Sequence, residues 1–286
     1  MLFEAVNHVV LVALAVICLL PLINVFCISI SSSAAAAAGR VYLWPVDFTL
    51  QSYAFASSKP QFLVSLVTTV KRTALGSAIG MLLCVLTAYP LSKRSESFKG
   101  RTAFVWFFFF STLFGGGLVP TFFVVLETKL IDTIWALVIP ESVAVFNVIL
   151  LLNFFRALPV ELEEAALLDG AGHWTVLFKV YIPLSKAALA TILLFQMVYH
   201  WNEWFHGMIY MNRPDRYPLQ SYLRTVLSRN AALVFENLED MKYYHLVSDE
   251  TSKAAQIFIG ALPIIITYPF LQKYFTTGIV LGSVKG

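Results

Sequence analysis

The chain has 286 residues, 58% of them hydrophobic and only 13% charged, with a formal net charge of +3. Soluble domains carry about 25% charged residues, so this composition excludes an ordinary soluble protein and points to the bilayer. The small net charge, with no basic run interleaved with aromatics, excludes nucleic acid as a partner.

A bilayer core takes about 20 apolar residues per helix, and six such spans are predicted: 9–30, 74–91, 103–126, 135–155, 187–205 and 254–271. The first, second, third and sixth hold no charged residue; the fourth holds Glu141 and the fifth Glu203. The first is too long for a signal peptide and has no basic region ahead of it, so it reads as a retained anchor. Cys18, Cys27 and Cys84 all lie in apolar runs, where thiols act as small hydrophobes, and offer neither a disulfide framework nor metal spacing. Between the first two spans, the Ala run at 34–38 reads as a prolongation of the first helix or a small cap, with Pro45 and Pro60 as breakers. Lys93, Arg94, Lys99 and Arg101 form the densest basic cluster and mark a cytoplasmic loop. With the N-terminus inside, nine of the 20 Lys/Arg fall on the cytoplasmic side and eleven outside. The total therefore leaves orientation open, and only that dense loop favours both termini inside. Gly115–Gly117, within the third span, reads as a packing or kinking point.

Residues 156–186 interrupt the apolar pattern. Pro159 suits a first helical turn, and Glu161, Glu163 and Glu164 set negative charge against the positive end of the helix dipole. Ala165 and Ala166 follow, and Gly170 after Asp169 marks a left-handed C-cap. A second segment starts at Gly172, puts Trp174 and Phe178 on one face, and meets a breaker at Pro183. The expectation is two short helices at an angle, joined to the fifth span. Two uses are open: a surface hairpin that caps the bundle, or a docking element that moves the fifth span as a lever.

Glu164-Ala165-Ala166-Leu167-Leu168-Asp169-Gly170-Ala171-Gly172, then Phe178 and Ile182-Pro183-Leu184, resembles the cytoplasmic EAA loop of ABC importer permeases. The segments "GGGLVPTFFV", "WNEWF", "YPLQSYLR" and "YPFLQKYFTTGIVLGSVKG" extend the likeness over almost the whole chain, towards the carbohydrate-uptake (maltose-type) class and its LplC/YtcP-like branch. Two departures are Ala187, where that family often has Pro, and the near absence before Asn7 of the family's usual charged N-terminal extension. The resemblance implies an all-α polytopic permease in the bacterial cytoplasmic (inner) membrane: one domain over 1–286, six spans, a two-helix coupling loop at 156–186 and an exterior loop at 207–253. It implies ATPase coupling through Glu164, Ala165, Ala166, Asp169, Gly170, Ala171 and Phe178. The implied partners are a second homologous permease, two ATPase subunits that carry ATP and Mg, and an extracytoplasmic solute-binding protein. This chain has no G-x-x-x-x-G-K-[ST] of its own, and no bound cofactor or catalytic residue is expected.

For a sugar pathway, Gln196, His200 and Glu203 share one face of the fifth span. Trp201 and Asn202 stand beside them, and Glu141 and Asn147 are the candidates in span four. Aromatic faces with amide and carboxylate groups suit sugar rings, yet Trp201, Trp204 and Phe205 also fit an interfacial aromatic belt, and both readings stand. No third ligand accompanies His200 and Glu203, so no metal site is expected. Arg213, Arg216 and Arg224, with Arg229, are candidates for contact with a binding protein or an acidic saccharide such as alginate. The six basic residues of 207–253 are matched by six acids, so net attraction for anions does not follow. An ion-coupled secondary transporter calls for an intramembrane ionisable relay and repeats, and a membrane-embedded enzyme for a converging nucleophile or metal set. Neither pattern is present in the sequence.

Overall fold

The computed structural model describes residues 2–94, 97–228 and 248–283, and every regular element among them is helical. The expected loop positions Arg229, Glu236, Glu239 and Asp240 lie outside the described residues. Chain contacts divide the protein into two compact units.

The first unit comprises residues 1–67 and 219–263. It contains α1 (Leu2–Ser29), α2 (Ser33–Ala37), α3 (Gln51–Ser58), the start of α4 (Pro60–Ser92), α14 (Leu219–Ser228) and the first part of α15 (Asp249–Ser283). The Ala run forms α2, separate from α1. Ser32 caps it by accepting from the Ala35 N–H at 3.3 Å. Gly39, at φ +64°, ends it, with Gly39 N–H donating to Ala36 O and Arg40 N–H to Ala35 O. Cys27, Ala35, Ala36 and Val41 form a small core beneath this cap. Pro60, read as a breaker, instead opens α4, where its missing N–H costs nothing.

The second unit, residues 68–218 and 264–286, positions the candidate site. Its helices are the rest of α4, then α5 (Arg101–Leu113), α6 (Leu118–Glu127), α7 (Ile134–Val138), α8 (Val145–Ala157) and α9 (Val160–Leu168). There follow α10 (His173–Val176), a π-helical turn at Leu177–Tyr181, α11 (Ile182–Leu184), α12 (Lys186–Asn202) and α13 (Phe205–Tyr210).

Two of the expected spans are broken. The third is the pair α5 and α6, bent by 114°. Gly117 sits at φ +80°, a conformation that L side chains resist, so the glycines make a sharp turn rather than a packing point within one helix. In the fourth, Pro140 and the extended Ala144 separate α7 from α8, which leaves Glu141 in a break instead of on a helix face. Among the described residues α1 and α4 are each long and apolar enough to cross a membrane, and three bent pairs qualify if each is one span.

The main core gathers Val85 and Ala88 of α4, Leu151 and Phe155 of α8, Val176, Leu177 and Tyr181 of the 173–184 segment, and Ala188 and Ile192 of α12. The stretch that interrupts the sequence is thus built into the core along its inner side.

Candidate functional site: a pinned coupling stretch and a polar cavity wall

The candidate coupling stretch follows from its residues. α9 ends in a Schellman motif: Gly170, at φ +80°, donates its N–H to Leu167 O, and Ala171 donates to Ala166 O, both at 3.0 Å. The next helix starts at His173 and runs through Pro183 to Leu184. The π-helical turn just before Pro183 loosens the helix where a proline ring crowds the preceding carbonyls. Ser185 then ends it, and α12 leaves at 82°.

Of the residues expected to couple, Glu164, Ala165, Asp169, Gly170 and Phe178 are exposed, while Ala166 and Ala171 pack partly against the core. Trp174 and Phe178 stack on the outer face with centroids 6.1 Å apart, and Leu168 is 88% exposed. Glu163, which the sequence places only as a dipole partner, turns inward. It accepts from Lys93 Nζ and from the Tyr181 hydroxyl, each at 2.6 Å. The Lys93 ammonium also sits 4.0 Å from the Tyr89 ring centroid and 4.2 Å from that of Tyr181. Burial opposes charge on Glu163, but the hydrogen bonds from Lys93 and Tyr181 outweigh it and hold the carboxyl below its ordinary range. For Lys93 burial is the larger effect and lowers its pKa, against the pull of Glu163. Burial and the adjacent Glu163 both push the Tyr181 phenol up, so it stays a donor. The end of α4 is therefore tied to α9 and to the segment that leads into α12.

At the opposite end of α12 a cavity of about 320 Å³ is lined by Gly80, Glu141, Ala144, Phe146, Asn147, Phe195, Gln196, Tyr199 and His200. Four of the expected pathway residues therefore come together: Glu141, Asn147, Gln196 and His200. Trp201 is buried elsewhere, Asn202 is exposed at the last turn of α12, and Glu203 is taken by a different partner. That partner is Arg72 of α4, wholly buried. It donates to the Glu203 carboxylate at 2.5 Å and to the Glu203 backbone carbonyl at 2.8 Å. The other carboxylate oxygen accepts from the His206 N–H at 2.9 Å, so Glu203 also caps α13.

The wall between α4 and α12 is set by Gly76 and Gly80. A Cβ at Gly76 would collide with the His200 ring, and one at Gly80 would lie 2.9 Å from Gln196 Oε1. Two glycines four apart thus face two polar side chains four apart, a small-xxx-small approach. Sequence reasoning missed Arg72, Gly76, Gly80 and the cavity aromatics Phe146 and Phe195. The signal for the glycines was G-S-A-I-G at 76–80; for Arg72 it was only the lysine–arginine pair ahead of the second span.

Arg213 makes a two-point ion pair with Asp215, its shorter contact 2.7 Å, and Arg216 donates to the Asp132 carbonyl at 2.5 Å. Arg224 is exposed on α14 of the first unit.

Residues 31–281 match the family described as "Binding-protein-dependent transport system inner membrane component". The chain is 38% identical to Protein LplC of Bacillus subtilis, over 99% of this chain and 95% of that protein. It is 36% identical to the polygalacturonan/rhamnogalacturonan transport system permease protein YtcP of the same organism, over 100% and 99%. A solved chain from a bacterial ABC transporter involved in the import of the acidic polysaccharide alginate is similar at a TM-score of 0.88 and 36% identity, covering 96% of each chain. The chain therefore belongs to the binding-protein-dependent transport system inner membrane components: it is an ABC transporter permease, a membrane transport subunit and not an enzyme.

Proposed function

We propose that this permease forms half of the translocation pathway of an ATP-driven importer of oligosaccharides, as one domain with six spans and both termini in the cytoplasm. Residues 156–186 are its cytoplasmic coupling loop. One ATPase docks on the outer face of α9 and on the Trp174–Phe178 stack, and two such ATPases hold the ATP and Mg. A second homologous permease completes the pore. An extracytoplasmic binding protein delivers cargo to the 207–253 region, where Arg213, Arg216 and Arg224 are candidate contacts. The cargo is an oligosaccharide with uronate residues, alginate being the nearest example. The alginate importer similar in structure and the polygalacturonan/rhamnogalacturonan relative support that choice.

What carries the coupling role is the construction of the loop: an outward face free for a partner, a Schellman turn that fixes its angle, and an inner face continuous with the core around α4, α8 and α12. A push on α9 is delivered to α12 across the 82° junction as a rigid displacement, because packed cores shift between discrete arrangements rather than deform. The cavity beside α12 lies where that displacement acts. The test is Gly170→Arg in the reconstituted transporter. A side chain there cannot adopt φ +80° without strain and blocks the docking face. Membrane insertion is expected to persist and substrate-stimulated uptake to fall at least about tenfold. Undiminished uptake would falsify the coupling role.

A further inference from the structure

Glu141 is placed by side chains rather than by a helix. It lies in the break between Pro140 and Ala144, on the cavity lining, with 41% of its side chain exposed. Two groups reach it: the Tyr199 hydroxyl, which hydrogen-bonds it, and His206, whose Nε2 stands 3.7 Å from a carboxylate oxygen. The other ring nitrogen, Nδ1, stands 3.5 Å from Glu203 Oε2, the oxygen that also accepts from Arg72. The ring is stacked on Tyr210, with centroids 5.3 Å apart and planes at 14°, which sets its orientation. Its helix, α13, is packed on α7 through Tyr210, Met211, Ala136 and Leu137. The ring still reaches solvent, with 16% of its side chain exposed.

A ring nitrogen facing a carboxylate is favourable only when it carries a proton. The neutral ring has one N–H and one lone pair, so one of the two carboxylates meets a lone pair; the imidazolium donates to both sides. It also completes the charge count, because Arg72 balances Glu203 and the second ring proton balances Glu141. The remaining titratable groups around the cluster, among the described residues, are Tyr199 and His200 of α12 and Tyr210 of α13.

Resting on the importer reading above, we propose that His206 is a positioning and specificity-determining residue of the pathway. Its imidazolium clasps Glu141, in the break between α7 and α8, to Glu203, which caps α13. The clasp fixes the Glu141 carboxylate on the cavity lining and cancels its charge there. Without the second proton the clasp is lost on one side and the lining carries one uncompensated negative charge. Passing carboxylates are then repelled, and uncharged rings are not. A uronate cargo is therefore carried best when the outer face is mildly acidic.

The experiment uses the complete reconstituted transporter in two arms, with wild type, His206→Arg and His206→Gln each checked for intact assembly by gel filtration. Arginine keeps the charge at every pH and can stack on Tyr210; glutamine never carries it. The first arm reads hydrogen exchange in residues 141–146, corrected for intrinsic rate, at about pH 5.5 and about pH 8.5, the two sides of an ordinary histidine titration. Wild-type exchange is expected to rise at least about threefold at the higher pH, with His206→Arg slow and His206→Gln fast at both. The second arm holds the ATPase side at constant pH and varies the outer side. It follows uptake of tetragalacturonate, tetramannuronate and neutral maltotetraose, each as the ratio of wild type to His206→Arg. That ratio is expected to fall about threefold for the acidic tetramers between the two pH values and to stay level for maltotetraose. Exchange that is independent of pH and unchanged in His206→Gln overturns the clasp. An acidic-tetramer ratio that stays level overturns the role in cargo choice. Wild-type uptake of neither acidic tetramer overturns the uronate-importer reading and that role together, while the exchange arm still decides the clasp.

Discussion

Two polar clusters flank α12, and they are built on opposite plans. At the coupling end Lys93, Glu163 and the Tyr181 hydroxyl satisfy one another, with the ammonium resting on two aromatic faces. At the cavity end Arg72 and Glu203 are as tightly joined, yet beside them Gln196 Oε1 and His200 Nδ1 are left without partners. A closed network holds a geometry, because breaking it strands a charge. An open one is costly as it stands, because buried polar atoms have given up water without gaining a partner. One helix thus has a fixed grip at the end where force is proposed to enter and an unsatisfied surface where cargo is proposed to pass.

The contrast is open to attack from both sides, and the largest effect is expected at the closed cluster. Lys93 and Glu163 side chains are 9% and 14% exposed, so Glu163→Ala leaves a nearly buried ammonium and should destabilise the α9 attachment by about 3 kcal/mol. The reading is faster proteolysis within 160–184 of the assembled transporter, and the double variant Lys93→Met/Glu163→Leu should recover most of the loss. Equal fragility of both variants would show that the pair is not what closes the cluster.

Next in size is Gly76→Val, which drives the new side chain into the His200 ring. Overpacking of this kind costs about 1–3 kcal/mol, and uptake should fall by about tenfold while cross-linking of α9 to the ATPase is retained. A smaller effect follows pH. Because the Glu163 carboxyl lies below its ordinary value of 4.5, its stabilisation is complete above that value and is lost as pH falls through the depressed one. Hydrogen exchange in α9, corrected for intrinsic rate, should stay flat from about pH 8 to about pH 5 and rise only in stronger acid. Exchange that climbs already near neutrality would assign the attachment to a different group. The smallest effect belongs to Arg213→Ala: its pair with Asp215 is 59% and 54% exposed, and such pairs contribute less than about 1 kcal/mol. A large loss of uptake without a loss of stability there would mark Arg213 as a partner contact.

The helices and caps of 159–185 were the most legible part of the chain because their signals are local. A proline at the start, acids in the first turn and a glycine after Asp169 each act on their own few residues, and α9 ends where Gly170 requires. Helix breaks were harder. Apolar composition reports the solvent a segment needs, not the direction its backbone takes, so 103–126 read as one span and folds as two helices meeting at 114°. Pairings across the chain were not legible at all. Glu203 reads as a pathway carboxylate until Arg72, 131 positions earlier, is found bonded to it. Of the seven expected pathway residues, Gln196 and His200 line the cavity against Gly80 and Gly76 of α4, a property of the facing helix and invisible from α12 alone.

Because Gln196 and His200 are four residues apart on a regular helix, their positions are separated by about 6 Å along its axis. That is the reach of one sugar ring, not of a chain. In the importer proposed above, a wall of that height would face one ring of a passing oligosaccharide at a time and be indifferent to how many rings follow.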